Sequence, residues 1–594
     1  MKRIILLAIV SYFLIAPFTY HPDTKLTLRY PALENGQVWD IYGYINSHKL
    51  DIPDFHYPPA HYWWLKIHYP ISKFVGGPGF DKWLSSGSAQ ASFNTNVLRF
   101  NFAAKLPLLI LGLLCGWLIF LIVNKASKDQ NKAKLAALFW YFNPITLYSL
   151  VIMGQNDIVA IFLFLLGIQF YEKWWLTALL WGIASGVKSY PIVWSVMFLL
   201  VWEKKIIKLV LKGLSVIAVY GLILLPWLEK DYFTQAVLNS GLSQRMLIAN
   251  IGVGFGKEIL VVPLLLVIVA LKAWWDKTNN KTYRSTLAIF QSSLIILAFS
   301  HFNPQWMLWT IPFLAIWGFV EGIRKKEWLV FLIIFIVWIG LTLSFDDKFL
   351  TWGLLTPINP NLINFPSIPE FIRNKGGDIS SFTNLCQSVL AGAGIWFMVN
   401  KFKNKEKTVS TFKLNNSYIL IPWMLIGGVI LLISGIKTEN KTFSQLGNKE
   451  IYLNETVDKR WEYEVLPNLK YFEISLDNSS LSSQDKGILV ISDNNQNEFE
   501  KEFSGFNAGA KSWLRVDVPA SMSNANYIMV TTKDVVSKDG LLKIQLDDND
   551  RWAINFYNYD KSGRHELTAK ILAFWWGWAT LVGLSIFYLK VKKD

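Results

Sequence analysis

Residues 174–202 read WWLTALLWGIASGVKSYPIVWSVMFLLVW, an apolar run that is interrupted in its middle by Gly186, Lys188, Ser189 and Pro191. Each half has only about 13 residues, whereas a helix that crosses a bilayer needs about 20. We therefore predict two short helices that meet at a broken turn. Non-helical backbone at membrane depth is tolerated only inside protein or beside a wet cavity, so we expect Lys188 to reach such a cavity.

The composition indicates the same class of protein. Of 594 residues, 52% are hydrophobic and 17% are charged, and long apolar runs recur along the chain. This pattern predicts a polytopic α-helical membrane protein with about fourteen hydrophobic segments, rather than a large soluble protein. The predicted segments are 4–16, 103–123, 135–153, 158–171, the two halves of 174–202, 207–228, 259–275, 287–300, 307–320, 328–345, 382–400, 419–434 and 571–589.

Charge and cysteine content exclude several function classes. The net charge is +15, but the basic residues form short clusters between apolar runs, which is typical of cytoplasmic loops and does not indicate nucleic acid. The two cysteines, Cys115 and Cys386, both lie in apolar runs, so no disulfide framework or zinc cluster is available. We expect neither a metal nor another cofactor, and the predicted partner of the surface is the lipid bilayer.

The basic clusters also predict topology. Lys2 and Arg3 precede the apolar segment 4–16, which lacks the small-residue cleavage site of a signal peptide. An uncleaved first span with a cytoplasmic N-terminus is the better interpretation, and a signal peptide is the alternative. Residues 20–96 then form an outer loop. A multi-pass protein of the plasma membrane with both termini in the cytoplasm follows from the alternation of the loops.

The C-terminal part has a different period. Residues 437–569 contain polar turns and alternating runs such as 471–476, 513–518 and 527–532, which predict β-strands. We predict an extracytoplasmic β-sandwich, of the jelly-roll type, between a transmembrane domain at 1–436 and a last helix with a cytoplasmic tail at 570–594. Aromatic residues of the sandwich could stack on a sugar or fill its core; they are Trp461, Trp513, Tyr527 and Trp552.

The first candidate for chemistry is Asp40, in the stretch 39–42 of the predicted outer loop. A carboxylate beside the aromatic residues Trp39 and Tyr42, just outside a bilayer, suits a general base that takes a proton from a sugar hydroxyl. The alternative is an ordinary solvated aspartate. The stretch His56-Tyr57-Pro58-Pro59 follows, and its aromatic residues could line a substrate cavity or belong to an interfacial aromatic belt.

Polar groups recur at the predicted outer ends of later helices. Gly154-Gln155-Asn156-Asp157 begins a helix, where an Asn or Asp could simply cap the helix. The alternative is that Gln155 and Asp157 bind acceptor hydroxyls or support the base. Lys188 could hold a phosphate or make an internal ion pair, because an unpaired charge at membrane depth is unfavourable. Arg245 and His301 are further candidates for binding a donor phosphate, and Gln305 is a candidate for lining the cavity. His301 could equally be a structural residue of its turn.

Taken in order, these motifs resemble the GT-C superfamily of polytopic glycosyltransferases, in particular the mannosyltransferases that use polyprenyl-phosphate mannose. The matching stretches are Trp39-Asp40-Ile41-Tyr42, His56-Tyr57-Pro58-Pro59, Asn143-Pro144, Gly154-Gln155-Asn156-Asp157, Gly186-Val187-Lys188-Ser189-Tyr190-Pro191 and His301-Phe302-Asn303-Pro304-Gln305. The resemblance implies a polyprenyl-phosphate sugar donor, a general base at Asp40, a second acidic site at Asp157 and inversion at the anomeric carbon. A glycan or glycolipid is the expected acceptor.

Two features depart from the family pattern. The first loop lacks the adjacent acidic pair of protein O-mannosyltransferases, which disfavours a protein acceptor, and the C-terminal sandwich is an addition to the minimal plan. A transporter or flippase of lipid-linked sugars is the alternative function, because broken helices and intramembrane charge also suit a translocation path. Candidate polar residues confined to one side of the predicted membrane favour the enzyme.

Overall fold

The computed structural model describes most of the first 400 residues and the strands of the C-terminal part. The described residues are 1–48, 55–86, 91, 94, 96–239, 243–277, 280–359, 362, 365–373, 375–400, 518–519, 522 and the β-strands between 439 and 559. They fall into two compact units, one formed by residues 1–357 and 362–415 and the other by residues 358–361 and 416–594. The described part of the first unit is mainly helical.

The helices of the first unit follow the apolar runs. They are α1 (Lys2–Ile15), α2 (Pro22–Ala32), α3 (Ile41–His48), α4 (Pro59–Gly76), α5 (Phe80–Ser85), α6 (Val97–Ser127), α7 (Gln130–Phe142), α8 (Asp157–Gln169), α9 (Trp174–Val187), α10 (Pro191–Trp202), α11 (Ile206–Leu224), α12 (Val261–Trp275), α13 (Lys281–Phe299), α14 (Ile311–Val320), α15 (Lys325–Leu343), α16 (Ile368–Arg373) and α17 (Ser380–Val399). Short 3₁₀ or π-helical segments continue or connect them at Ala16–Phe18, Leu33–Gly36, Leu147–Ile152, Leu225–Trp227, Thr234–Leu238, Ser243–Leu247, Pro304–Trp309, Lys348–Leu350 and Trp352–Leu355.

Several of these helices have the length and apolar character of membrane spans. Within the described part of the chain, four helices could cross a bilayer by length and composition, or up to six if each of two bent pairs counts as one span. The four are α6, α11, α15 from Lys326 onward, and α17, and the bent pairs are α1 with α2 and α7 with residues 144–152. Together they indicate a membrane protein.

The broken run at 174–202 has the predicted form. Helix α9 ends at Val187, and Lys188 follows with an extended backbone (φ −148°, ψ 140°). Helix α10 starts at Pro191, which suits the first turn of a helix because that turn needs no backbone donor there. The break therefore places Lys188 between two short helices, and the prediction of a discontinuous segment is confirmed.

Burial separates interior helices from those at the surface. In the most apolar window of α6, 61% of the residues are buried, whereas in that of α11 only 17% are. The exposed residues of α11 are large and apolar, among them Ile207, Leu211 and Leu222. An apolar, exposed face of this kind is expected where a helix contacts lipid rather than water.

Residues 20–96, predicted as a loop, carry a folded layer with its own core. Helices α2 to α5 lie in this segment, and Leu28, Phe55, Tyr62 and Trp83 pack together in its interior. Pro58 and Pro59 lead into α4, which has Pro59 at its first position. Helix α4 runs from there to Gly76.

In the first unit, β1 (Asn250–Gly254) and β2 (Lys257–Leu260) form a hairpin between α11 and α12. The described part of the second unit consists mainly of the strands that follow. They are β3 (Glu439–Phe443), β4 (Leu446–Leu453), β5 (Trp461–Glu464), β6 (Leu469–Asp477), β7 (Lys486–Asp493), β8 (Glu498–Ser504), β9 (Trp513–Asp517), β10 (Tyr527–Val536), β11 (Leu542–Asp547) and β12 (Ile554–Tyr559). One sheet has the order β5-β10-β7-β8, and the other has the order β3-β12-β6-β11-β4, with β9 also paired to β6.

Alternate residues of these strands are buried, as period-two patterning predicts. Phe472 and Ile474 of β6 and Ile528 and Val530 of β10 are fully buried. Trp461 is also buried, so it serves the core of this unit and not a sugar-stacking face. The jelly-roll arrangement stays a prediction.

Part of the predicted architecture is not tested. The predicted spans 419–434 and 571–589 lie outside the described residues, so the count of fourteen segments stays a prediction. The domain limits at 436 and 569 and the cytoplasmic placement of both termini also stay predictions.

Candidate functional site

The turn before α8 is held by two buried hydrogen-bond donors, Thr24 of α2 and Lys105 of α6. Thr24 Oγ1 donates to the carbonyl oxygen of Met153 (2.5 Å), and Lys105 Nζ donates to that of Ile152 (2.5 Å). Gly154 has φ +72°, and a Cβ there would lie 2.9 Å from Thr24 Oγ1. Glycine is therefore the residue that fits, and the turn delivers the side chains that follow it to a fixed place beside α2.

Asp157 lies in the buried interior of this site. Its Oδ1 accepts a hydrogen bond from Trp309 Nε1 (2.8 Å), and Tyr190 Oη lies 3.5 Å from the same oxygen. Lys188 Nζ is 3.7 Å from Oδ1, so an ion pair joins the break between α9 and α10 to the start of α8. The structure thus shows an ion pair at Lys188, which explains how both charges are accommodated away from water, and the phosphate-binding role of Lys188 stays a prediction.

Lys188 faces an aromatic residue as well as the carboxylate. Its Nζ lies 4.2 Å from the ring centroid of Tyr57, a cation–π distance. Tyr57 in turn stacks on His61, with ring centroids 4.2 Å apart and an interplanar angle of 11°. Tyr57, predicted as a cavity residue, therefore contacts the predicted phosphate-binding cation.

Gln155 and Asn156 connect the turn to α2 and α4 and do not cap α8. Gln155 Nε2 donates to Asp23 Oδ2 (3.3 Å), and Asn156 Oδ1 accepts from Trp64 Nε1 (3.0 Å). Asn156 stands at the N-cap position of α8 but makes no capping hydrogen bond with its side chain. The capping interpretation of this turn is therefore wrong for Asn156, whose side chain serves contacts between helices.

Asp23 is a candidate that sequence reasoning missed. It is half exposed, and its backbone N–H donates to His21 Nδ1 (3.2 Å) at the start of α2. Burial raises the pKa of Tyr57, and the charges of Asp23 and Asp157 raise it further, which places both carboxylates near that phenol. The available signal was an acidic residue directly after Pro22, where the first apolar segment ends and a helix begins.

Asp40 occupies a different neighbourhood of the same folded layer. It is half-buried; Oδ1 accepts from the backbone N–H of Gly43 (2.9 Å), and Oδ2 accepts from Tyr232 Oη (2.6 Å). Burial and this hydrogen bond to Asp40 raise the pKa of Tyr232. The carboxylate is thus held by a helix start and a phenol, and does not point freely into solvent.

The aromatic residues beside Asp40 have separate roles. Trp39 is 71% exposed, and Lys66 Nζ lies 4.7 Å from its ring centroid. Tyr42 is buried against Phe233, and its hydroxyl donates to the carbonyl oxygen of Tyr57 (2.5 Å). Tyr42 is therefore the link between the Asp40 neighbourhood and Tyr57.

The remaining predicted residues lie in two further places. His56 Nδ1 is 2.8 Å from the carbonyl oxygen of Ala236. His301 has an exposed side chain whose ring contacts Phe345; partial desolvation lowers its pKa, and the positive charge of Arg245 lowers it further, so the two predicted phosphate-binding residues interact electrostatically. Gln305 Oε1 is buried, and in the part of the chain that the structure describes no hydrogen-bond donor reaches it.

The structure therefore brings Gln155, Asp157, Lys188 and Tyr57 into one cluster and adds Asp23 to it. We call these five residues the Asp157 cluster. Arg245 and His301 form a second pair, which segment 301–309 connects to the cluster through Trp309. Among the described residues, no group of three His, Cys, Asp or Glu side chains is arranged to hold a metal ion.

These features define a helical membrane protein with a buried ion pair and accessible acidic and aromatic groups at one site. Residues 95–300 match the family model of glycosyltransferase family 87, a family of GT-C-type membrane enzymes. The match indicates a glycosyltransferase, and it includes Gln155, Asp157, Lys188 and Arg245 but neither Asp23 nor Asp40. No curated protein and no solved structure matches the chain.

Proposed function

We propose that this protein transfers a hexose, with mannose as the first candidate, from a polyprenyl-phosphate donor to a glycan or glycolipid on the outer face of the plasma membrane. The observation that carries the proposal is the Asp157 cluster, in which a carboxylate–lysine pair, a tyrosine ring and a half-exposed acid meet beside a broken apolar segment. Such a site offers both charge for a phosphate and a proton acceptor for a hydroxyl.

The chemistry is a single displacement at the anomeric carbon. The acceptor oxygen forms the new glycosidic bond while the bond from the anomeric carbon to the phosphate oxygen breaks, and the bonding electrons leave with the polyprenyl phosphate. The proton of the acceptor hydroxyl passes to a carboxylate of the enzyme. Attack opposite the leaving group inverts the anomeric configuration.

Asp23 is the carboxylate that the described contacts favour as the proton acceptor. It is half exposed, shares a hydrogen bond with Gln155, and lies close enough to Tyr57 to act on its pKa. Asp40, the residue predicted from sequence, remains a second candidate. Both of its oxygens already accept hydrogen bonds, one from Gly43 and one from Tyr232, so a substrate hydroxyl must share an oxygen with one of them.

Cations of the site would stabilise the leaving phosphate. Lys188 has three N–H donors, and its contact with Asp157 at 3.7 Å is longer than a hydrogen bond, which leaves it able to turn toward a phosphate oxygen. Arg245 and His301 are the second phosphate-binding pair in this proposal. The exposed aromatic ring of Trp39 is available to stack on a sugar.

The proposal is tested with purified protein in nanodiscs, radiolabelled polyprenyl-phosphate mannose and glycans extracted from the source cells. We expect labelled glycan with inverted anomeric configuration, and none with Asp157→Asn. Donors that carry glucose or galactose test the choice of sugar. If labelled donor crosses the bilayer of proteoliposomes but no glycosidic bond forms with any donor, the protein is a transporter and the proposal is wrong.

A further inference from the structure

A β-hairpin between α11 and α12 is exposed along its whole length. Strand β1 (Asn250–Gly254) pairs with β2 (Lys257–Leu260), and Ile251 lies opposite Ile259, so both side chains leave the same face. Every residue from 250 to 259 is exposed. A two-stranded hairpin without a covering layer is marginally stable in water, so this one is expected to have an apolar partner.

The hairpin carries far more apolar surface than its fold requires. Phe255, at the tip, is fully exposed, and Ile248, Ile251 and Val253 are each more than half exposed. Phe255 also has φ +52°, a left-handed conformation that costs a bulky residue free energy and that Gly or Asn would adopt more easily. Local folding therefore does not explain an aromatic residue at this position.

The base of the hairpin is connected to the Asp157 cluster. Arg245 lies five residues before β1 and close enough to His301 for its charge to lower the pKa of that histidine. From His301 the chain runs through the 3₁₀ segment Pro304–Trp309, whose last residue donates to Asp157 Oδ1. Arg245 thus lies at the start of the exposed apolar hairpin, and its charge acts on His301, from which the chain leads to the Asp157 cluster.

We propose that Arg245 and the hairpin 246–260 form the docking surface for the polyprenyl-phosphate donor. Arg245, with His301, binds the phosphate, and the strip formed by Ile251, Phe255 and Ile259 contacts the isoprenoid chain. The proposal rests on the proposed function for the identity of the lipid. Its physical basis is amphiphile complementarity, with a cation at one end and an apolar strand pair that extends roughly 13 Å from it.

A lipid is the occupant that the surroundings favour. The helices on either side of the hairpin in the chain, α11 and α12, also expose large apolar residues, such as Leu222 and Leu264. The strip is therefore continuous along the chain with surface of the kind that faces a bilayer. A Cβ built on Gly252 or Gly254 would meet no atom within 4 Å, so the other face of β1 is open as well.

Binding is measured first without any transfer reaction. A photoreactive long-chain polyprenyl phosphate that lacks the sugar is irradiated with the full-length protein in nanodiscs, and the labelled peptide is identified by mass spectrometry. We expect the label on residues 246–260, competition by unlabelled polyprenyl phosphate, and a loss of labelling in Arg245→Gln. Phe74→Ser is the control for loss of an exposed apolar side chain elsewhere, because Phe74, on α4, is 89% exposed.

Transfer is measured second, with donors of different chain length. In Ile251→Ser/Phe255→Ser we expect kcat/KM for a long-chain donor to fall about tenfold or more, because two apolar side chains lose their contact with the isoprenoid. For a short, detergent-soluble isoprenyl donor we expect a change of less than about twofold, since such a donor does not reach the strip. Phe74→Ser should change neither value.

The outcomes separate this inference from the proposed function. Hairpin-dependent labelling without any sugar transfer supports the docking surface and contradicts the proposed reaction. Transfer that is equally efficient with both donors in the double variant supports the reaction and overturns the docking surface. If an excess of phosphatidylglycerol competes as well as polyprenyl phosphate, the hairpin is a general membrane contact and the inference is also overturned.

Discussion

Asp23 and Asp40 are two carboxylates of the same folded layer, and each stands at the beginning of a helix. Asp40 has aromatic neighbours in sequence, yet its contacts are with Gly43 in the next turn and with Tyr232. Asp23 has no aromatic residue beside it in sequence, but Gln155, more than a hundred residues later, brings it to the Asp157 cluster. Aromatic residues next to a carboxylate in the sequence are thus weaker evidence for a functional site than the residues that contact the carboxylate in the folded protein.

Apart from the carboxylates themselves, the largest expected effect comes from Lys188, at the centre of the Asp157 cluster. Lys188→Met removes the cation that faces Tyr57 and leaves Asp157 buried without its partner. We expect transfer to fall on the order of 10²-fold to 10³-fold, the usual result of removing a group that stabilises developing charge. Initial rates at saturating donor measure this effect.

Lys188→Arg is the matched control for that change, because it keeps the positive charge. We expect it to retain more activity than Lys188→Met. If both variants transfer sugar at the native rate while a thermal melt shows unchanged stability, the Asp157 cluster is not the site of the reaction. The preference for Asp23 over Asp40 as the proton acceptor is then wrong.

An intermediate loss of stability is expected from a substitution of Lys105, whose side chain connects the end of α1 to the turn that carries Gln155 and Asp157. Its buried Nζ donates to the carbonyl oxygens of Ala16, Thr19 and Ile152 and so joins the end of α1 to the turn before Gln155. Lys105→Met leaves these acceptors unsatisfied, and we expect a loss of about 1–3 kcal/mol in the free energy of unfolding. A thermal melt in detergent measures the change.

The same variant sharpens the comparison of the two acids. Because Lys105 ties the turn before Gln155 to residues 16–19, which lead into α2, Lys105→Met should lower kcat more than it raises the KM of the donor if Asp23 is the base. Lys208→Met, at an exposed lysine of α11, is the control and should leave both stability and kcat nearly unchanged. A lower stability with an unchanged kcat would make Lys105 a purely structural residue.

Much of the helical architecture could be predicted from sequence, because apolar length and the break at 186–191 depend on local chemistry. For Lys188 the sequence supports two interpretations, an internal ion pair and phosphate binding. An intramembrane cation requires an anionic partner, but the sequence does not identify that partner. The folded layer at 20–96 and the hydrogen bond between Gln155 and Asp23 could not be predicted. Both depend on contacts across long stretches of chain, such as Thr24 with Met153.

The smallest effect is expected at Tyr232. Tyr232→Phe removes the phenol that donates to Asp40 Oδ2. If Asp40 only supports the local structure, transfer should change by less than about threefold, because a hydrogen bond to a charged group contributes modestly to stability and not to the chemical step. A pH–rate profile whose acidic limb moves by a whole pH unit in this variant would instead point to Asp40 as the base.

The central claim is that the proton acceptor belongs to the Asp157 cluster, and single-turnover transfer by Asp23→Asn and Asp40→Asn tests it most directly. Each substitution removes the basic oxygen and keeps the size of the side chain. Loss of a general base is expected to cost about 10²-fold to 10⁴-fold in rate. We predict that loss in Asp23→Asn and a loss of less than about tenfold in Asp40→Asn. A native rate in Asp23→Asn together with an inactive Asp40→Asn would contradict the claim.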